Sequence, residues 1–197
     1  VTGELLALSF SSGWASGVNA YATVLLLGLL GRFGGVEAVP SGLERTDVLV
    51  AAAVLYVVEF VADKVPYVDS TWDAIHTAVR PTVGTVIGLL VAGDADSLET
   101  AVLAATGGVT ALVSHLVKGG LRLAVNTSPE PASNVAVSVL EDGAVAGVVA
   151  LAVAAPWVAA GIAAALLVTG VALVAFLAAR IRRGLRRRRE RRAARSG

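Results

Sequence analysis

In the stretch EFVADKVPYVDSTWDAIHTAVRP, residues 59–81, Glu59, Asp63, Lys64, Asp69, Asp73, His76 and Arg80 sit between flanks that carry almost no charge. Glu59 and Asp63 are four residues apart, as are Asp69 and Asp73, while His76 follows Asp73 by three and precedes Arg80 by four. On a helix each of these spacings puts two side chains on one face. Asp63, Asp69, Asp73 and His76 are candidate ligands for a hard divalent cation such as Mg²⁺, with Arg80 and Lys64 placed to hold phosphate. The same groups equally suit a proton or cation relay inside a membrane.

A plainer role competes at several of these positions. Ser70-Thr-Trp-Asp73 has the spacing of a capping box, and Trp72, Ile75 and Val79 form an apolar stripe, so residues 69–80 read as a short cytoplasmic helix lying in the interface. Glu59 and Asp63 follow the run Val54 to Val58 and belong to a span, where a lone carboxylate costs roughly 2.5 to 3.5 kcal/mol. They need partners. Glu141 and Asp142 form a second embedded acidic pair, and His115 ends an apolar run together with Lys118. Gly13 and Gly17 mark a close-packing face; alternatively an unwound stretch there, with Asn19, lines a polar path. Glu59, Asp63, Glu141, Asp142, Asn19 and His115 are the candidate path residues.

Positioning such groups requires a membrane bundle. Of 197 residues, 56% are hydrophobic and 16% charged, against about 25% charged in soluble domains. Ten of the sixteen basic residues lie between Arg180 and Arg195. Residues 1–179 read as the transmembrane bundle and 180–197 as a basic cytoplasmic tail attracted to anionic lipid; without interleaved aromatics the tail does not suggest nucleic acid. With no cysteine, thiolate metal sites and cysteine nucleophiles are excluded.

Six apolar runs are candidate crossings: Glu4 to Leu30, Asp47 to Ala62, Pro81 to Ala92, Leu98 to Val117, Val135 to Ala155 and Trp157 to Ala179. The expected fold is all-α and polytopic, in a prokaryotic plasma membrane, with both termini cytoplasmic by the positive-inside rule. A faint match between GVNAYATVLLLGLL from Gly17 and GVTALVSHLVKGGL from Gly108 suggests two inverted three-span halves. Gly-rich faces on several spans offer surfaces for a homo-oligomer.

The pattern E-x-x-x-D-K-V-P-x-x-D-x-x-x-D-x-x-H-T-x-x-R-P, with S-G-x-N-A-Y near the amino terminus and S-P-E-P-x-S-N later, resembles a family of small prokaryotic membrane proteins classed as a domain of unknown function. That resemblance implies an integral membrane protein and assigns no site residue. From the residues themselves, the leading expectation is a transporter or channel for a small ion or solute. The alternatives are a divalent-cation-dependent protein acting on a phosphorylated lipid at the cytoplasmic face, and a structural subunit.

Overall fold

The computed structural model describes residues 3–65, 68–125 and 131–196, without the side chains of residues 69–70, 124–125, 131–134 and 187–196. Among the described residues seven α-helices follow one another: α1 (Gly3–Val18), α2 (Ala20–Gly34), α3 (Thr46–Ala62), α4 (Val68–Ala92), α5 (Ser97–Val125), α6 (Pro131–Ala154) and α7 (Pro156–Ser196), with one 3₁₀ turn at Ser41–Glu44. Among the described residues there is no strand. Among the described residues four stretches are long and apolar enough to cross a membrane: Thr71–Ala92, Ser97–Leu123, Val135–Ala154 and Pro156–Arg186. Valines, leucines and isoleucines of α3, α5, α6 and α7 stand exposed on the outside of the bundle. Such a surface belongs in lipid, and the protein is an integral membrane protein.

At the centre is α1, against which α4, α5, α6 and α7 all pack. From Ala7 to Val18 every residue except Phe10 is buried. A helix enclosed on all sides must present small side chains, and SFSSGWASG supplies them. A Cβ on Gly13 would lie 2.5 Å from the Gly107 oxygen of α5, and one on Gly84 would lie 2.6 Å from that same oxygen. The three backbones of α1, α4 and α5 therefore meet at glycine. Gly143 and Gly147 of α6, by contrast, have open space where a Cβ would stand.

The run Glu4 to Leu30, expected as one crossing, is two helices that reverse direction. Running parallel to α5, α1 has Ser9 donating to the Leu103 oxygen (2.7 Å) near its start and its Trp14 oxygen accepting from Ser114 (2.8 Å) near its end. The return is traced by α2: Tyr21 lies beside His76, whereas Gly28 meets Leu43 and Leu49, and Gly42 in the 3₁₀ turn packs on Leu90. Leu90 is ten residues beyond Arg80 on α4, about 15 Å further along the bundle. The turn of this re-entrant hairpin is Asn19, whose extended backbone (φ −148°, ψ 102°) ends one helix and caps the next.

Two expectations change as a result. Gly3 abuts Trp157 at the start of α7, so residue 3 and the arginine-rich end of α7 are at opposite ends of the bundle. Six full crossings with both termini on the cytoplasmic side do not describe this arrangement. The segments compared as repeats also differ, since the first contains the reversal and the second lies within unbroken α5.

The separate interfacial helix is likewise corrected. Residues 69–80 are the first turns of α4, which continues through Pro81 to Ala92. A proline removes one backbone donor, and here the helix tolerates the loss. Ser70 is the third residue of α4, so Ser70-x-x-Asp73 does not start the helix.

Because the chain lacks cysteine, single cysteines at Glu4 and Leu185 are expected to react with a membrane-impermeant maleimide from opposite faces of sealed vesicles; labelling of both from one face would refute the reversal. Gly84→Val is expected to overpack the three-helix seam and destabilise the protein by about 1–3 kcal/mol, read as a lowered denaturation midpoint in detergent, with Gly143→Ala as the silent control.

Candidate functional site

The charged groups converge where the hairpin turns. Arg80, on α4, has no exposed surface. Its Nη2 donates to Glu59 Oε1 (2.7 Å) and lies 3.0 Å from Asp73 Oδ1, while Nη1 donates to His115 Nδ1 (2.8 Å) and, at 3.4 Å, to the Gly17 oxygen. Lys118, on α5, donates to Asp63 Oδ2 (2.8 Å) and to the Val18 oxygen (3.0 Å). Arg122, one turn further, holds Glu141 through both Nε (3.2 Å) and Nη2 (2.6 Å) and donates from Nη1 to the Asp63 oxygen (2.8 Å). Lys64 approaches Asp142 Oδ2 at 3.9 Å and donates to Ser138 Oγ (3.2 Å).

The reason for this convergence is the hairpin tip. A helix ending inside a bundle leaves carbonyls without intrahelical partners and the negative end of its dipole unscreened. Arg80 and Lys118 supply donors and positive charge at Gly17 and Val18. On the other side of the turn, Asn19 Oδ1 accepts from the Ala22 N–H (2.9 Å) and its Nδ2 donates to Asp142 Oδ1 (3.2 Å). Asp142 thus lies near the positive, N-terminal end of α2.

Hydrogen-bond partners fix the two imidazoles differently. A guanidinium can only donate, so His115 Nδ1 is an acceptor and its Nε2–H donates to Thr77 Oγ1 (3.1 Å), which donates to the Asp73 oxygen (3.2 Å). His115 is therefore neutral. His76 Nδ1–H donates to the Trp72 oxygen (2.8 Å), leaving Nε2 to accept from the Tyr21 hydroxyl (3.1 Å); its ring also meets Trp72 at 4.7 Å.

The structure brings all six path residues read from the sequence to the hairpin tip, in three adjacent groups: Glu59 and His115 on Arg80, Asp63 and Glu141 on Lys118 and Arg122, and Asp142 with Lys64 and Asn19. The groups named for a metal are distributed otherwise. Asp63 pairs with Lys118 and Arg122, Asp73 lies against Arg80, His76 bonds Tyr21, and the Asp69 side chain is outside the described residues. Among the described residues no three His, Asp or Glu side chains are grouped to hold a metal ion. Arg80, named for phosphate, is enclosed by protein partners, and Lys64 is engaged with Phe60 and α6.

Lys118 and Arg122 are the members that sequence reading left out of the site. Their signal was present: two cations one helical turn apart at the end of an apolar run must find carboxylates. Tyr21 and Thr77 carried no such signal.

Among the described residues the network holds five carboxylates, Glu59, Asp63, Asp73, Glu141 and Asp142, and four cations, Lys64, Arg80, Lys118 and Arg122. Glu59 Oε2, Asp142 Oδ2 and both Asp73 oxygens accept no hydrogen bond. Asp73 is close to Arg80 in charge without being aligned to it.

A family profile, the domain of unknown function DUF4126, matches residues 6–175. The chain belongs to this family. Its matched region contains the hairpin from Leu6 onward and every charged residue at its tip. No curated protein and no solved structure matches the chain.

Removing one partner of a buried pair leaves the other uncompensated, typically at a cost of about 3–5 kcal/mol. Arg80→Gln is expected to destabilise the protein on that scale in equilibrium denaturation, and Glu59→Gln together with Arg80→Gln to recover part of the loss. Equal stability of the double and single variants would mean that the two side chains do not interact.

Proposed function

We propose that this DUF4126 protein moves a small monovalent cation across the plasma membrane, with the ionic network at the hairpin tip as the place the cation occupies. The observation that carries this reading is the surplus of one carboxylate among the described residues. A structural lock would balance its charges, because an uncompensated charge away from water is costly. Among the described residues, five acids face four bases, and carboxylate oxygens that accept no hydrogen bond leave a place for one further positive charge. The re-entrant hairpin supports the same reading, since irregular backbone at membrane depth is tolerated where protein encloses it or a polar path passes.

Lys and Arg excess marks the cytoplasmic side. The arginine-rich end of α7 sets that face, and Lys64, Arg80, Lys118 and Arg122 stand nearer to it than to the other. On this reading Arg32 and Arg45 face outward, and cargo leaving the network toward the cytoplasm has the shorter distance to travel.

The test is cation flux in proteoliposomes under an imposed potential, followed with fluorescent indicators for H⁺, Na⁺ and K⁺. Asp142→Asn brings the network to four acids and four bases. It is expected to lower the rate at least tenfold while moving the denaturation midpoint little, because Asp142 makes the weakest ion pair of the set. Flux that continues unchanged in both Asp142→Asn and Glu59→Gln would sink the reading.

A further inference from the structure

The enclosure of the unpaired oxygens limits what the further positive charge can be. We propose that it is a proton and that Asp142 carries it. The inference rests on the cation reading above and narrows it to H⁺, with one carboxyl group as the place of exchange.

An alkali ion has to trade its hydration shell for a ring of oxygens around a vacancy. Carboxylate oxygens of Glu59 (α3), Asp73 (α4) and Asp142 (α6) that accept no hydrogen bond have essentially no accessible surface, so no water-sized body stands against any of them. Nor do three acidic or histidine side chains converge to hold a metal ion among the described residues. A proton needs one oxygen and no vacancy. It turns a buried carboxylate into a neutral acid, whose burial costs far less than that of an uncompensated charge.

Of the five acids, Asp142 is the one least answered by positive charge. Glu59 accepts from Arg80 at 2.7 Å, and Asp73 lies 3.0 Å from the same nitrogen. Asp63 accepts from Lys118 at 2.8 Å, and Glu141 is held by Arg122 through two bonds, the shorter 2.6 Å. Asp142 has Lys64 at 3.9 Å, too far for a hydrogen bond, because that ammonium is drawn to the Phe60 oxygen (3.0 Å), to Ser138 Oγ (3.2 Å) and to the face of the Phe60 ring. Asp142 Oδ1 accepts from the Asn19 amide, which is neutral.

The surroundings of Asp142 suit a proton that comes and goes. Tyr56, Asp63 and Lys64 face it from α3 and the turn that ends that helix, Lys118 from α5 and Glu141 from its own helix. Near the tip α1 has no titratable group, α2 turns Tyr21 to His76, and α7 has none before Arg180. Asp63 and Glu141 favour the proton's presence, and the two lysines favour its departure. The Asp142 side chain keeps 18% of its surface, against 3% or less for Arg80, Lys118 and Arg122, so it stands at the edge where exchange takes place. On release the O–H bond breaks, the electron pair stays on the carboxylate and the proton passes to water at that edge. Lys64 answers the charge left behind.

The test is infrared spectroscopy of the purified full chain in detergent at neutral pH, read at the C=O stretch of a protonated carboxylic acid. A band that shifts in D₂O is expected in the wild type and in Asp94→Asn, a control at an exposed loop acid. It is expected to vanish in Asp142→Asn and to move in Asp142→Glu, which keeps the carboxyl group and serves if the first variant does not fold. No band in the wild type, or an unmoved band in Asp142→Glu, would overturn the assignment. In proteoliposomes under an imposed potential, H⁺ is expected to move at least tenfold faster than Na⁺ or K⁺. Flux of Na⁺ or K⁺ with no carboxylic-acid band would remove the proton and leave cation transport; a band lost in Asp142→Asn with no flux of any cation would leave the proton on Asp142 and remove transport.

Discussion

Arg80 carries a permanent charge with no contact with solvent, and four helices are arranged around it. Glu59 of α3, Asp73 of its own helix, His115 of α5 and the Gly17 oxygen of α1 all lie within hydrogen-bonding or ion-pairing distance of its guanidinium. A planar group with five donors in a fixed fork can meet such a ring of acceptors, where a lysine could not. While α3 packs along α2, its inner end is tied to the bundle through this guanidinium. That helix buries only Leu49, Ala52, Glu59 and Ala62, and its remaining apolar surface faces outward. In lipid there is no hydrophobic force to press an apolar helix against a bundle. The inner end of α3 is therefore held by its two carboxylates, Glu59 to Arg80 and Asp63 to Lys118 and Arg122.

The hairpin and the network require each other. Reversing a chain inside a bundle exposes backbone groups that neither lipid nor a neighbouring turn can satisfy. Arg80 and Lys118 cover the carbonyls at Gly17 and Val18, and Asn19 covers the first amides of α2. The cations, in turn, could not remain buried without carboxylates from α3, α4 and α6. Small residues make the geometry possible: Gly13, Gly84 and Gly107 let three backbones touch, which brings α4 and α5 close enough for their charged ends to share acceptors at the tip of α1.

Much of this site could be read from residue types alone, because the cost of burying charge holds in any fold. Glu59 and Asp63 had to find cations, and Glu141 and Asp142, too short to snorkel, had to face inward. What the residues did not reveal was direction. The largely apolar run from Glu4 to Leu30 has the composition of one tilted crossing and also of two short helices that double back. Hydropathy is the same in both. The deciding feature is Asn19, a single cap whose significance depends on the two cations that reach it from α4 and α5. The same blindness to depth made Asp73 resemble a cap and Arg80 a surface anchor, since the sequence places both in a polar stretch while the fold draws them inside.

Charge balance separates the two roles a buried network of this kind can serve. Ion pairs that only fasten helices are often replaceable by well-packed apolar residues, but here the cations also answer the backbone carbonyls of the hairpin tip, which apolar residues could not do. Balanced pairs would also resist any visitor, because each charge already has its partner. The odd carboxylate removes that resistance. On the cation reading proposed above, such a site would hold its cation by a sum of small contributions from several carboxylates. Such shared and shallow binding is what passage, as opposed to retention, demands.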